Sequence, residues 1–391
     1  MKKSVLVLGD HQQTIAVVRS LAASGWRVIV GCHGRRPFAS LSRHACGTWS
    51  HPEPDSAAFA SALHAFLAEH PEVRCIFPVG EDEIQALVAC EGLPAYVQRA
   101  MPSADAVHAC LDKPRSFRIA QELGIPQVST VVVTTHRELL DAASQIGLPL
   151  AIKCPDSSRL INGRKAAACI SDAQLSAFAG ARYPLIVQRW FCGTRHNCQF
   201  IARDGELVAY FQQAVVRTDE ADGTGFGIEG VSVEPSAELA GYCRALCRRL
   251  NYHGAGCAQF LVDDDGDCVF LELNPRLDAT CELALRCGID LPRLAVDPAL
   301  ATLSAYPIGR RFHWLLGDLR SLGHRIKSAD LGRHALSAYI RQLGAAHWRA
   351  HHRLTWHWLD PLPTLYLYGH AVIVGGRSYV HAAGVAARHH G

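Results

Sequence analysis

Apolar and polar positions alternate in blocks from the start of the chain. Residues 4–8 form a short apolar run, Gly9-Asp10-His11-Gln12-Gln13 interrupts it, and an amphipathic stretch over 14–24 leads through Gly25 to a second apolar run at 27–30. Short apolar runs bounded by turn residues predict strands, and the helical period between them predicts a helix. The unit reads strand, turn, helix, strand, the opening of a doubly wound α/β layer. A later apolar run at 74–79 ends in Gly80-Glu81-Asp82-Glu83. Three carboxylates then stand at a strand's carboxyl end, where open α/β sheets place ligands, although acidic capping of the next helix explains them equally well. Over 112–124 a helix is bounded by Asp112 at its N-cap and Gly124 past its end. Lys113 sits in its first turn, where the helix dipole disfavours a cation, so this lysine points toward an anion.

From residue 129 the pattern changes to short strands at 129–133, 150–154, 166–170, 185–188, 197–202, 206–211, 257–262 and 268–273. This is an α+β layout with antiparallel pairs, and Asp204-Gly205 and the acidic run 263–267 read as hairpin turns. The acidic run lacks the spacing and terminal Glu of a calcium loop. Past residue 300, Arg-, His- and Trp-rich stretches at 310–322, 326–343 and 345–360 read as helices, with Pro361-Leu362-Pro363 as a break. His347 and His351 have a zinc-compatible spacing but no acidic third ligand nearby, which favours a solvated basic face.

Composition narrows the class. The chain has 391 residues, 49% hydrophobic, with 39 Lys+Arg against 36 Asp+Glu, a net charge of +3. Two or three domains are expected, and near-neutral charge without basic runs argues against nucleic-acid binding. No apolar stretch approaches a membrane span. The 15 cysteines contain no Cys-x-x-Cys pair, and no signal-peptide pattern opens the sequence. They are expected to be reduced core filler in a cytoplasmic protein. Only Gly9 is present of a dinucleotide Gly-x-Gly-x-x-Gly fingerprint, so a dinucleotide-dependent oxidoreductase is poorly supported.

The segment Val269-Phe270-Leu271-Glu272-Leu273-Asn274-Pro275-Arg276 carries the most chemistry. Strand alternation sends Val269, Leu271 and Leu273 to the core and Phe270, Glu272 and Asn274 to the other face. Carboxylate and amide oxygens suit magnesium, and a guanidinium directly after them can grip a phosphate or carboxylate.

On these residues the sequence resembles the ATP-grasp superfamily, in its carboxylate-amine ligase and carbamoyl-phosphate-synthase-like branch, over roughly residues 1–300. Glu272, Asn274 and Arg276 match the family's Glu-x-Asn-x-Arg element, which implies magnesium ligands and an arginine facing the acyl phosphate. Lys113 and Lys153 match its two nucleotide lysines. The stretch Gln188-Arg189-Trp190-Phe191 matches the hinge that holds adenine, by backbone hydrogen bonds at about Arg189 and Phe191, with Gln188 where Glu is usual. Gln259 likewise stands where the family has an acidic magnesium ligand, and the phosphate-covering loop 156–163 has one Gly, leaving Ser157, Ser158 and Arg159 as donors.

The resemblance implies a Rossmann-like pre-ATP-grasp domain over 1–111, a two-lobed ATP-grasp domain over 112–300 (lobes about 112–187 and 188–300) and a mainly helical C-terminal segment over 301–391. It implies ATP with one or two magnesium ions, manganese being an alternative, and small-molecule carboxylate and amine (or thiol) substrates joined through an acyl phosphate. Arg217, just before the Gly223–Gly227 loop, is an expected acceptor-pocket residue alongside Arg276, with a surface role the alternative. An ATP-binding protein without ligase activity is the rival reading. A homodimer, and peripheral membrane contact by the Trp-rich tail, stay open.

Overall fold

In the computed structural model, five parallel strands make the first sheet: β1 (Ser4–Leu8), β2 (Arg27–Cys32), β3 (Ala45–Ser50), β4 (Val73–Pro78) and β5 (Gln98–Arg99). Their order is β3-β2-β1-β4-β5. Val5, Leu6, Val7 and Leu8 are wholly buried, as expected of a parallel strand covered on both faces. The strand order reverses sense beside β1, so His11 after β1 and Glu81 to Glu83 after β4 meet at the carboxyl edge. Gly80 makes that meeting possible, because a Cβ there would lie 2.2 Å from His11 Nε2 and 2.1 Å from Glu83 Oε2. The structure describes residues 3–34, 37–156, 159–161, 166–297, 299–300, 304–327 and 333–373.

The second sheet is antiparallel, with β6 (Thr130–Val133), β7 (Leu150–Lys153), β8 (Ala166–Cys169) and β9 (Leu185–Arg189) in the order β6-β9-β7-β8. The third contains β10 (Thr194–Arg203), β11 (Glu206–Thr218), β12 (Gly227–Ser232), β13 (Gly254–Val262), β14 (Cys268–Asn274), β15 (Arg311–His313) and β16 (His352–Arg353). Their order is β14-β13-β10-β11-β12-β15-β16. One face packs on the helices Lys113–Glu122 and Ala237–Arg249, where Phe117, Cys243 and Leu246 meet Phe200, Phe260 and Phe270. Part of the other face shares a core with Ile15 and Val17 of helix Gln12–Ala23 and with Leu354 and Leu367 of the tail.

Several expectations need correction. Residues past 300 add β15 and β16 to the third sheet, so the tail is not only helical. The stretch 345–360 is not one helix: helix Arg333–Arg349 ends, β16 follows, and Thr355 has φ +70°. Pro361 does not break a helix but precedes helix Leu362–Ile373, its carbonyl accepting from Leu365 at 3.0 Å. Proline suits a helix start because the missing N–H would be unsatisfied there. Strands β3 and β12 escape the sequence pattern because β3 is half-exposed and β12 is interrupted by Gly227 and Gly230.

The phase of β14 also differs. Gln259 stands opposite Glu272 but Phe260 opposite Phe270, so Leu271 is an extra, bulged residue. Phe270 therefore joins Leu273 in the core rather than facing the other way. Glu272 and Asn274 still share a face.

All cysteines except Cys46 and Cys192 are buried, and none is joined in a disulfide, in keeping with their reading as small hydrophobes.

Candidate nucleotide site

Each basic side chain of the site is placed by a local device. Asp112 caps the helix Lys113–Glu122 by accepting from the Arg115 N–H at 3.1 Å, and Gly124 beyond it has φ +68°. The Lys113 N–H donates to the Pro155 carbonyl at 3.2 Å, which ties this helix start to the loop after β7. Lys153 ends β7 and is only 9% exposed. Burial, with the charges of Lys113 and Arg195 nearby, pushes its ammonium down to about 8, against a counter-pull from Glu272. Lys113, Lys153 and Glu272, read from three separate motifs, are thus brought together.

On the third sheet, Glu272, Gln259, Asn197 and Gln213 stand opposite one another on successive strands, which puts their side chains on one face. Asn274 Nδ2 donates to Glu272 Oε1 at 2.9 Å, leaving its amide oxygen as an acceptor. Gln259 is 8% exposed. One carboxylate and two amide oxygens fit a hard divalent cation that arrives with phosphate oxygens, rather than a site that holds metal alone. Consistently, among the described residues no group of three His, Cys, Asp or Glu side chains is arranged for a metal. Asn197 and Gln199, which were not among the expected residues, are buried on this face with Asn197 Oδ1 and both polar atoms of the Gln199 amide unpartnered. A polar run inside a strand is the signal that marks them.

Arg276 follows directly and is half-buried. Its Nε and Nη2 donate to Glu81 Oε1 at 3.2 and 2.8 Å, and its Nη1 to the Leu277 carbonyl at 3.3 Å. Glu81 of the first layer therefore orients the arginine of the third sheet. Beside it, His11 Nε2 lies 3.4 Å from Glu83 Oε2. The hydrogen bond and charge of Glu83 raise His11 although burial opposes it. Asp82, between the two pairs, is pushed up to about 6 by burial and by Glu83 and Glu81.

Other expected residues are placed differently. In the hinge, Gln188 is buried and donates to Thr130 Oγ1 at 3.0 Å, which leaves its amide oxygen to accept. The Arg189 N–H is committed to the Ser129 carbonyl at 2.9 Å and the Trp190 N–H to the Pro149 carbonyl at 3.1 Å. Arg189 thus has no amide proton for an adenine. Phe191 is half-buried. Ser157, Ser158 and Gly163 lie outside the described residues. Arg159 Nη2 donates to the Arg182 carbonyl.

Arg217 is the largest displacement. Val215 stands opposite Gly230 and Arg217 opposite Glu229, so Val216 is bulged and Arg217 turns to the face opposite the one carrying Glu272. There Arg217 Nε donates to Glu229 Oε2 at 2.9 Å, and Nη2 bonds to Asp318, which is wholly buried. Both acceptors hold the guanidinium away from the face that carries Glu272.

A family model described as ATP-grasp in the biosynthetic pathway with Ter operon matches residues 182–311. An N5-carboxyaminoimidazole synthetase of Staphylococcus aureus, solved with ADP, superposes with TM-score 0.64 at 13% identity, covering 80% of this chain and 82% of that one. The chain shares the fold of the ATP-grasp proteins it matches.

A biotin carboxylase of Campylobacter jejuni shares the fold at TM-score 0.60 and 17% identity, over 80% of this chain and 74% of its own. Among curated relatives, the arginine-specific carbamoyl phosphate synthase large chain of Geobacillus stearothermophilus is 23% identical over 202 residues, 49% of this chain. A D-alanine–D-alanine ligase of Ectopseudomonas mendocina is 27% identical over 207 residues, which is 64% of its length. The match spans only 19% of the synthase. No helix among the described residues is long and apolar enough to cross a membrane.

Proposed function

We propose that this chain is an ATP-dependent ligase that joins a carboxylate to an amine, or to a thiol, through an acyl phosphate. The observation that carries the reading is the convergence of Lys113 and Lys153 on Glu272, with Asn274 and Gln259 beside it. A cation cluster around a single carboxylate is an anion site, and oxygen ligands next to it suit a nucleotide carrying magnesium.

In this reading Lys113 and Lys153 neutralise the phosphates, which is most of what phosphoryl transfer asks of a protein. Glu272, Asn274 and Gln259 would hold magnesium, which supplies further charge neutralisation when bound. Gln188 accepts from the base. The substrate carboxylate attacks the γ-phosphorus, ADP leaves, and Arg276, held by Glu81, faces the acyl phosphate. The amine then attacks the acyl carbon, a C–N bond forms, and phosphate departs with the electrons of the broken C–O bond. Arg276 is placed to stabilise the oxyanion of that step.

The reading counts residues 1–111 as the pre-ATP-grasp layer and 112–300 as the nucleotide-binding unit, with β15 and β16 counted into its sheet, in a cytoplasmic enzyme. Release of ADP and phosphate across a panel of carboxylates and amines tests it. Turnover that requires both partners is expected; tight ATP binding with no turnover for any pair would favour the binding-protein reading, for which the neutral Gln259 speaks.

A further inference from the structure

Lys153 responds to three charged neighbours, and two of them, Lys113 and Glu272, are accounted for above. The third is Arg195 on β10, two residues before Asn197 and so on the same face of the strand. Its guanidinium is only partly satisfied. Nη1 donates to the Gly225 carbonyl at 2.8 Å, while Nε is buried without a hydrogen-bond partner. Leaving a charged donor buried and unpaired is expensive, so such groups are found where something absent from the free protein completes them.

The loop that fixes Nη1 is itself tightly built. The Asp219 N–H donates to the Phe226 carbonyl at 3.0 Å, and the Phe226 N–H donates back to Asp219 Oδ1 at 2.7 Å. Gly225 has φ +80°, and a Cβ there would fall 2.3 Å from Asp219 Oδ1, so glycine is required. The C-terminal helices grip the loop's root. Ser321 Oγ donates to the Asp219 carbonyl at 2.5 Å, and Arg217 reaches Asp318 in the same helix. Asp318 also accepts from Tyr339 at 2.5 Å and lies 2.9 Å from His313 Nε2. Hydrogen directions follow from chemistry. Arg353 Nε can only donate, so His347 Nε2 accepts at 3.1 Å, His347 Nδ1 donates to His313 Nδ1 at 3.3 Å, and His313 Nε2 donates to Asp318.

We propose that Arg195 is a third cation for the nucleotide's phosphates, and that Asp318 positions it by anchoring the loop between β11 and β12. This rests on the nucleotide site proposed above and adds a residue that its motifs do not contain. Arg195 offers a directional N–H that neither lysine supplies, and the loop holds the guanidinium plane in a fixed orientation.

Equilibrium binding of ATP and of AMP to the full chain with magnesium tests it. Arg195→Gln is expected to weaken ATP about 10- to 100-fold, the range for a lost charge-assisted hydrogen bond, while AMP changes less than about twofold. Arg195→Lys, which keeps the charge and the packing stem, is expected to recover part of the loss. Asp318→Asn is expected to weaken ATP by a smaller factor with AMP unchanged. The double variant should bind no more weakly than Arg195→Gln alone, because the two act through one contact. Unchanged ATP affinity in Arg195→Gln, or equal losses for ATP and AMP, would overturn the role of Arg195. Full additivity in the double variant would overturn the role of Asp318. A wild-type chain that binds no ATP would instead sink the nucleotide reading itself.

Discussion

Arg19 and Lys153 are each 9% exposed, yet their surroundings are opposite. Arg19, in helix Gln12–Ala23, has every donor face served: Nε meets Asp360 Oδ2, Nη1 the Thr355 carbonyl and Nη2 the Asp360 carbonyl, each at 2.9 Å. Asp360 is completed by Ser42 Oγ at 2.7 Å and the Arg43 N–H at 3.0 Å. This cluster staples the tail to the first layer across 341 residues of sequence. The Lys153 side chain has no hydrogen bond or ion pair among the described residues, and of the charges acting on it Lys113 and Arg195 are cations and only Glu272 is an anion. Burial therefore says little about role. The lack of a direct hydrogen-bonded partner separates a side chain that waits for a ligand from one that holds the fold.

The comparison breaks most visibly at the staple. Asp360→Ala leaves Arg19 buried without its carboxylate, and the loss is expected to reach about 3–5 kcal/mol in denaturant unfolding. A change below about 1 kcal/mol would mean that the staple is decoration. Lys153→Met should do the reverse. Replacing a desolvated, unpaired ammonium with an apolar side chain leaves stability unchanged or higher, while ADP release falls about 10²- to 10³-fold, the scale of losing one preorganised charge. Glu272→Gln is expected to lower turnover to a similar extent, and retained turnover would remove it from the metal site.

The candidate nucleotide cluster was legible in the sequence because chemistry there follows short motifs: Lys113 beside a cap, Lys153 at a strand end, and Glu272, Asn274 and Arg276 at alternate positions of one segment. The bulge at Leu271 did not disturb that reading, since it precedes Glu272. The bulge at Val216 falls just before Arg217 and reversed its face, and nothing in the local pattern announces it. Partners supplied from far away in the chain were equally invisible. Glu81 holds Arg276, Asp318 holds Arg217, and Gly225 holds Arg195, each through a contact that only the packed sheets create. Within the tail, β15 and β16 escaped the pattern because they are too short to show alternation.

Gln259 offers a way to sharpen the site. It stands directly opposite Glu272, so Gln259→Glu adds an anion beside the existing one. In the free protein the two carboxylates repel, and a divalent cation relieves that repulsion. Magnesium affinity in the presence of ADP is expected to tighten about tenfold, worth about 1.4 kcal/mol. Unchanged magnesium affinity would show that Gln259 lies outside the coordination shell.

The smallest effect concerns the histidines, whose abundance no motif explains. His51, His196, His347, His352 and His357 are all held below their ordinary value, with burial the leading cause in each. His352 goes furthest, to about 4, with Arg286 nearby and its Nε2 unpartnered. The unfolded chain binds protons at these sites from about pH 6.5 downward, whereas the folded chain resists until lower pH. Stability should therefore decline as pH falls from 6.5 toward 4, a window above the one in which the depressed carboxylates of Asp318 and Asp360 are protonated. His11, raised by Glu83, acts in the opposite sense and offsets part of the slope. Because His352 is only half-buried, its share is expected to stay below about 1 kcal/mol per pH unit. Denaturant unfolding at pH 7, 6 and 5 should show the decline, and His352→Gln should flatten it. Stability that is level across those three pH values would mean that these side chains are solvated in the folded chain.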